Sequence, residues 1–228
     1  MTDTPRIALI HATRIAIDPI EKAAARLWPE AETMTLLEEG LSLDRRKSTD
    51  LTQGLWDRII GLTRYAERAG SARVLFTCSA FGEAIEAAAD LSPIPVMKPN
   101  EVMFDAAFAQ GNRIAMITTF EPAAAGMLEE FHAAAKARGS AAQITSYFCE
   151  GAIAAKRAGD AATHDQLIAQ AASHITNADV ILLGQFSMAD AAGAVCARTN
   201  IPVLTSPEAA ILEMRRRVAG SQRGVARY

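Results

Sequence analysis

The chain has 228 residues, of which 50% are hydrophobic, so it can bury a sizeable core as one thick domain or two lobes. Its formal net charge of −3 argues against a nucleic-acid partner, because such proteins usually carry a basic surface. No apolar run approaches the ~18 residues that a membrane span needs, and the amino-terminal segment lacks the features of a signal peptide.

Three cysteines occur at positions 78, 149 and 196, and their spacing matches no metal-binding pattern. An odd number of cysteines suits a reducing compartment, so we expect a cytoplasmic protein. Cys149 and Cys196 are interpreted as small core residues. The chain also lacks the glycine-rich turns typical of nucleotide sites, and we therefore expect neither a metal nor any other cofactor.

Short apolar runs alternate with alanine-rich amphipathic segments along the chain. The runs predict eight strands, near residues 6–11, 32–37, 73–77, 94–97, 113–118, 142–147, 179–184 and 201–205. Strands that alternate with helices indicate parallel βαβ units. Because their crossovers are right-handed, all strand-to-helix loops should lie at the same edge of a sheet. The expected fold class is therefore α/β.

The second half of the chain repeats the first at a constant offset, which pairs Arg6 with Arg113. Three apolar segments match at this offset: 6–10 with 113–117, 74–76 with 181–183, and 94–97 with 201–204. A repeat of this length indicates duplicated half-domains rather than a solenoid. We predict two pseudo-symmetric lobes, one formed by residues 1–98 plus 207–228 and the other by residues 99–206. Each should contain a four-stranded parallel sheet flanked by helices, with the active-site cleft between the lobes.

Cys78 follows the third predicted strand and precedes a helix expected over about residues 82–90. A thiol at this position meets the positive end of the helix dipole and free backbone amides, which should lower its pKa. The same amides favour the binding of a substrate carboxylate. The equivalent position of the second half is occupied by Gln185. Its amide can hydrogen-bond a carboxylate or a carbonyl but cannot hold a proton near neutral pH.

The sequence resembles the aspartate/glutamate racemase superfamily, which includes hydantoin racemase, arylmalonate decarboxylase and maleate isomerase relatives. The resemblance rests on Leu-Phe-Thr-Cys-Ser-Ala at 75–80 and Ile-Leu-Leu-Gly-Gln-Phe-Ser at 181–187, within a repeat that spans residues 6–208. It implies a cofactor-independent enzyme of two α/β lobes, in which one cysteine of each half carries a proton. This chain departs from that pattern, since only the first-half cysteine is present.

The resemblance and the repeat together nominate the site residues. Cys78 is the predicted proton carrier or nucleophile, and His11, at the end of the first strand, is a candidate for the missing second acid or base. The candidates for substrate binding lie after the predicted strands and comprise Arg14, Ser79, Lys98, Thr118, Thr119, Gln185, Phe186 and Ser187.

These observations predict a cofactor-independent racemase or isomerase that acts on a small carboxylate through an enolate-like intermediate. A single cysteine would also serve a decarboxylase of a malonate-like acid, as in some relatives, although those keep their cysteine in the second half. A third alternative is a non-catalytic protein that binds a small carboxylate. Because relatives are often dimers or larger, we expect a homodimer or higher homo-oligomer, and no nucleic-acid or membrane partner.

Overall fold

Two four-stranded parallel sheets form the centre of the protein, whose structure is a computed structural model that describes residues 4–48 and 50–225. The strand orders are β2-β1-β3-β4 and β6-β5-β7-β8. The strands are β1 (Arg6–His11), β2 (Glu32–Leu37), β3 (Arg73–Phe76), β4 (Val96–Met97), β5 (Arg113–Thr118), β6 (Gln143–Phe148), β7 (Val180–Leu183) and β8 (Val203–Thr205). The predicted α/β class is confirmed, and the strands lie where the apolar runs predict them.

The two sheets repeat each other in order and in spacing. The constant offset of the sequence repeat also relates the first residues of three strand pairs, Arg6 and Arg113, Arg73 and Val180, and Val96 and Val203. The remaining pair, β2 and β6, departs from it. At the same offset Glu32 would match Gly139, but β6 begins further along the chain, at Gln143. The second half therefore has a short insertion between its first two strands and a compensating deletion before its third.

Helices cover both faces of each sheet. The α-helices of the described residues are α1 (Ile17–Leu27), α2 (Glu39–Arg45), α3 (Gln53–Arg68), α4 (Gly82–Leu91), α5 (Glu101–Phe108), α6 (Glu121–Ala137), α7 (Ala152–Arg157), α8 (Ala161–Ser173), α9 (Ala192–Cys196) and α10 (Ser206–Val225). Short 3-10 turns precede α1, α4 and α9. No helix in these described residues is long and apolar enough to span a membrane.

The alternation of side chains along β1 shows how the first sheet is buried. Ile7 and Leu9 join a hydrophobic cluster with residues of α1 and α10, whereas Ala8 and Ile10 join a second cluster with residues of α3 and α4. All four side chains are almost completely buried. A strand covered on both faces must be apolar at every position, which explains the uninterrupted hydrophobic runs of the sequence.

The chain returns to its first half at the end. Ile211 and Met214 of α10 are buried in the same cluster as Ile20 of α1. This packing supports our proposal that residues 207–228 complete the lobe begun by residues 1–98, with residues 99–206 as the other lobe. Positions 1–3, 49 and 226–228 of that division lie outside the described residues.

The two expectations about the remaining cysteines have different outcomes. Cys149 is buried in the hydrophobic cluster between the second sheet and α8, as predicted. The prediction for Cys196 is wrong, because this residue ends α9 and is exposed. The short helix turns its carboxyl end to solvent and buries Val195 instead.

An ion-pair cluster joins the lobes beside the amino end of α4. Lys98, which follows β4, pairs with Glu86 of α4 and lies 3.9 Å from Oε1 of Glu130 on α6. The carboxylate of Glu130 leaves no room for a Cβ at Gly82. Its Oε2 is buried with no hydrogen-bond partner among the described residues. Burial raises the pKa of Glu130 to about 7, although the charge of Lys98 opposes this shift.

We expect the substitution Glu130→Gln to stabilise the protein progressively as the pH rises. A raised pKa means that the native state favours the protonated carboxyl of Glu130. In the wild type, the stabilisation that this preference provides is complete below pH 4.5 and is lost as the pH approaches about 7. The free energy of unfolding of the variant, relative to that of the wild type, should increase by roughly 3 kcal/mol across this interval. Urea denaturation at several pH values measures it, with the exposed Glu129→Gln as the matched control. A difference that does not change with pH would contradict the burial argument.

Candidate active site

A cavity lies between the lobes, where the carboxyl ends of strands from both sheets meet. Cys78 of the first lobe and Gln185 of the second both line it, together with the residues that immediately follow them. Its volume is about 60 Å³, several times the ~10–15 Å³ that a single water requires. Ligands of open α/β sheets bind at this edge. The cavity therefore suits a small metabolite rather than a polymer.

Cys78 is held by the turn that joins β3 to α4. The strand ends at Phe76, Cys78 is still extended, and a 3-10 turn over Ser79–Phe81 separates it from the helix. Burial raises the pKa of the thiol, while the Ala80 N–H and the charge of Arg45 act in the opposite direction. The predicted lowering of the thiol pKa is therefore wrong. The 3-10 turn holds Cys78 back from the first turn of α4, and the low dielectric around the sulfur dominates.

Gln185 is held in the same way by the turn after β7. Gly184 precedes it, and a Cβ on Gly184 would lie 2.9 Å from Cε of Met127 and 3.1 Å from the carbonyl oxygen of Ile117. Only glycine lets the chain pass this close to the neighbouring strand. Gln185 itself is extended, and a 3-10 turn begins at Phe186. The equivalence of Cys78 and Gln185 that the repeat predicts is thus reproduced in the backbone.

Thr119 determines which end of the Gln185 amide faces the cavity. The backbone N–H and the hydroxyl of Thr119 both donate to Oε1 of Gln185, at 2.8 and 3.0 Å. A backbone N–H can only donate, so the amide cannot turn over without losing this bond. Nε2 is left with one long contact, 3.5 Å to the carbonyl oxygen of Phe120. Gln185 consequently offers an N–H group to a ligand.

His11 lies deeper than a cavity residue. Its side chain is fully buried, its Nδ1 lies 2.8 Å from the hydroxyl of Thr77, and its Nε2 has no partner among the described residues. Burial lowers the pKa of His11 to about 4, so the imidazole is neutral near pH 7. His11 does not line the cavity. The structure therefore does not bring this predicted acid or base into contact with the ligand space.

The other predicted binding residues fall into two groups. Ser79, Phe186 and Ser187 are buried and line the cavity beside Cys78 and Gln185. Thr118 and Thr119 are buried behind this wall, where Thr119 holds Gln185.

Arg14 and Lys98 do not line the cavity. Arg14 is largely exposed and forms an ion pair of 2.9 Å with Glu39, and Lys98 is engaged by two glutamates of the ion-pair cluster. Both cations are thus satisfied by protein carboxylates, and neither is placed to receive a substrate carboxylate.

Arg157, at the end of α7, is the charged cavity residue that the sequence argument missed. It is the only charged residue lining the cavity among those described. Its guanidinium makes no hydrogen bond or ion pair to any described residue. Desolvation lowers its pKa, with a contribution from the charge of Arg46, but a guanidinium stays protonated. Gly151, with φ of 78°, makes the left-handed turn that starts α7.

The sequence does contain a signal for Arg157, which becomes visible when β2 is aligned with β6. When Glu32 is aligned with Gln143, as the two sheets require, Arg46 falls on Arg157. The constant offset that relates the other strands hides this correspondence. In the part of the chain that the structure describes, no group of three or more His, Cys, Asp or Glu side chains is arranged to hold a metal.

Comparison with known proteins agrees with this architecture. The sequence model of the Asp/Glu/Hydantoin racemase family matches residues 10–214. No functionally curated protein matches the sequence.

Several solved structures share the fold. A glutamate racemase isoform from Bacillus anthracis is 12% identical, with a TM-score of 0.77 over 95% of this chain and 82% of that one. Allantoin racemase from Klebsiella pneumoniae is 16% identical, with a TM-score of 0.69 over 95% and 89% of the two chains. A cysteine-substituted double mutant of arylmalonate decarboxylase, in a liganded form, is 20% identical, with a TM-score of 0.64 over 93% and 92%. Because these identities are only 12–20%, the similarity establishes that the fold is shared.

We expect Cys78 to titrate at a higher pH in the native protein than in the unfolded one, because burial disfavours the thiolate. The rate of alkylation by iodoacetamide, followed for each cysteine by peptide mass spectrometry across pH, measures this. The midpoint of the Cys78 profile should fall when the protein is unfolded in urea, and the exposed Cys196 reports reagent activity in the same samples. A native midpoint at or below the unfolded one would show that the helix amides dominate.

Proposed function

Because the chain belongs to the Asp/Glu/Hydantoin racemase family, we propose that it moves a proton at a carbon next to a carboxylate, with Cys78 as its only proton carrier. The observation that carries this proposal is the composition of the cavity wall. Cys78 is the one described lining residue that can exchange a proton near neutral pH, since Arg157 stays charged and Gln185 is an amide.

The substrate is a small carboxylate. Arg157 supplies the single positive charge of the cavity wall, and the N–H groups of Gln185 lie on the side opposite the atoms that Thr119 holds. Guanidinium and N–H donors match carboxylate oxygens, and their bonds to an ionised acceptor are stronger than neutral ones. The described lining residues include no carboxylate that would attract a cation.

The reaction that this arrangement supports best is the decarboxylation of a malonate-like acid. The bond between the α-carbon and one carboxylate breaks, carbon dioxide leaves, and the electron pair remains as an enediolate. The S–H of Cys78 then gives its proton to the α-carbon, and the resulting thiolate regains a proton from water. A thiol whose pKa is raised by burial is protonated at neutral pH, as this step requires.

Racemisation and thiolate addition receive less support from the same cavity. Two-base racemisation needs a second proton carrier on the opposite face, where this chain has Gln185. Isomerisation by addition to a double bond needs a thiolate at the start of the reaction, which burial of Cys78 disfavours. A non-catalytic carboxylate-binding protein would keep Arg157 and Gln185 but leave the Cys78 thiol without a reaction.

The expected cytoplasmic location and the homodimer or higher oligomer stay predictions. The chemistry proposed for the cavity depends on neither the location nor the oligomeric state, because the two lobes of a single chain supply the described cavity wall.

We predict that malonates with two different substituents at C2 lose carbon dioxide in deuterium oxide and gain one deuterium at the α-carbon, on one face only. Cys78→Ser should lower the rate about 100-fold or more, the usual contribution of a general acid, whereas Cys196→Ser should leave it unchanged. Gln185→Cys should reduce the enantiomeric excess by placing a proton donor on the other face, and Gln185→Ser should not. Mass spectrometry and chiral chromatography measure these outcomes. Full activity of Cys78→Ser, or a racemic product from the wild type, would contradict the proposal.

A second prediction concerns Arg157. Arg157→Met should raise KM for the carboxylate about 10- to 100-fold with little change in kcat, because a charge-assisted hydrogen bond contributes about 1.5–3 kcal/mol to binding. Arg157→Lys should lose less, since the positive charge is kept. The matched control is Arg198→Met, which removes an exposed cation outside the cavity. Equal values of KM and kcat for Arg157→Met and the wild type would show that Arg157 does not bind the substrate.

A further inference from the structure

Asn100 is a second amide in the cavity wall, at the junction of the two lobes. It follows β4, is fully buried, and lines the same cavity as Cys78 and Gln185. Its side-chain oxygen Oδ1 accepts a hydrogen bond of 2.7 Å from the hydroxyl of Ser206, the first residue of α10. Its Nδ2 is buried and has no hydrogen-bond partner in the described part of the chain.

The position of Asn100 makes this arrangement unusual. Asn100 is the N-cap residue of α5, where an asparagine ordinarily uses its side-chain oxygen to accept from the N–H groups of the first turn. It makes no such capping bond here. Its side-chain oxygen instead accepts from the hydroxyl of Ser206, at the start of α10. Helix capping therefore does not explain why an asparagine occupies this position.

The energetic cost of leaving Nδ2 of Asn100 unpaired also indicates that this residue serves something other than the stability of the fold. A buried donor without an acceptor destabilises the folded protein relative to one that is hydrogen-bonded. Leucine or methionine at this position would fill the space without that cost. An acceptor atom of a ligand in the cavity would satisfy Nδ2, so the cost is recovered when the ligand binds.

We propose that Asn100 binds the substrate, with its Nδ2 donating a hydrogen bond to a carboxylate oxygen. Asn100 resembles Gln185 in that its amide oxygen accepts from a protein hydroxyl, that of Ser206 or Thr119 respectively, whereas only Gln185 is also fixed by a backbone N–H. Ser206 is a positioning residue for Asn100. The inference rests on the proposed function, which supplies the carboxylate, and adds a contact from the segment that connects the lobes.

The test uses the full-length Cys78→Ser protein, in which turnover is expected to be at least about 100-fold slower, and malonate as the probe, with affinity measured by calorimetry. Asn100→Asp has almost the same shape and keeps an oxygen for Ser206. It replaces the donor with an anionic acceptor. We expect malonate affinity to fall at least about 10-fold, in line with the loss of a hydrogen bond to a charged group.

Two further variants separate binding from other effects. Ser206→Ala frees the amide of Asn100 to rotate, and affinity should fall about 2- to 10-fold, as for a neutral hydrogen bond. Asn200→Asp makes the same change of charge at an exposed residue outside the cavity and should leave affinity within about 2-fold of the parent. Thermal unfolding of each variant checks that the fold is unchanged.

Unchanged malonate affinity in Asn100→Asp would overturn this inference and leave the proposed function standing, because that function is tested by turnover and Cys78→Ser. An equal loss in Asn200→Asp would attribute the effect to net charge and would also count against Asn100. If malonate fails to bind the Cys78→Ser parent, Asn100 has no carboxylate to receive and the inference fails. The turnover of malonates by the wild type would then decide the proposed function separately.

Discussion

Helices cover both faces of each sheet, and this burial decides where chemistry can occur. The apolar side chains of β1 and β7 are packed against helices, so a polar group among them would be cut off from any ligand. The first positions that escape this packing lie just past the strand ends. Parallel strands place those positions at one edge, and the two sheets direct their edges to a shared cavity. The site is therefore built from short turns that join strands to helices.

The packing between the lobes also controls the polarity of the cavity. Phe186, next to Gln185, is buried in a hydrophobic cluster of the first lobe together with Ile7 and Leu9, which fixes the second-lobe turn against the first sheet. The Ser206–Asn100 hydrogen bond forms near the same junction. With the side-chain oxygens of Asn100 and Gln185 engaged by the protein, the described wall presents amide N–H groups, hydroxyls, the guanidinium of Arg157 and the thiol of Cys78. Such a wall stabilises negative charge, as an enediolate requires.

Several site residues could be predicted from the sequence and others could not. Cys78, Ser79, Gln185 and Ser187 lie next to strand ends in a repeated pattern, and the cavity contains all four. His11 has an equally favourable position in the chain, yet it still belongs to β1 and is buried against Thr77. Because both faces of the sheet are covered by helices, a residue inside the strand is buried on either face, whereas Cys78 and Gln185 lie past the ends of β3 and β7.

By itself the sequence determined the α/β class, the two matched halves and the loss of one cysteine, because hydrophobic periodicity and repetition are local properties of the chain. The tertiary structure alone decided that Arg14 and Lys98 are neutralised by glutamates while Arg157 faces the cavity. It also decided that burial outweighs the helix dipole at Cys78. Charge pairing and desolvation depend on which distant segments pack together, and residue order does not record those neighbours.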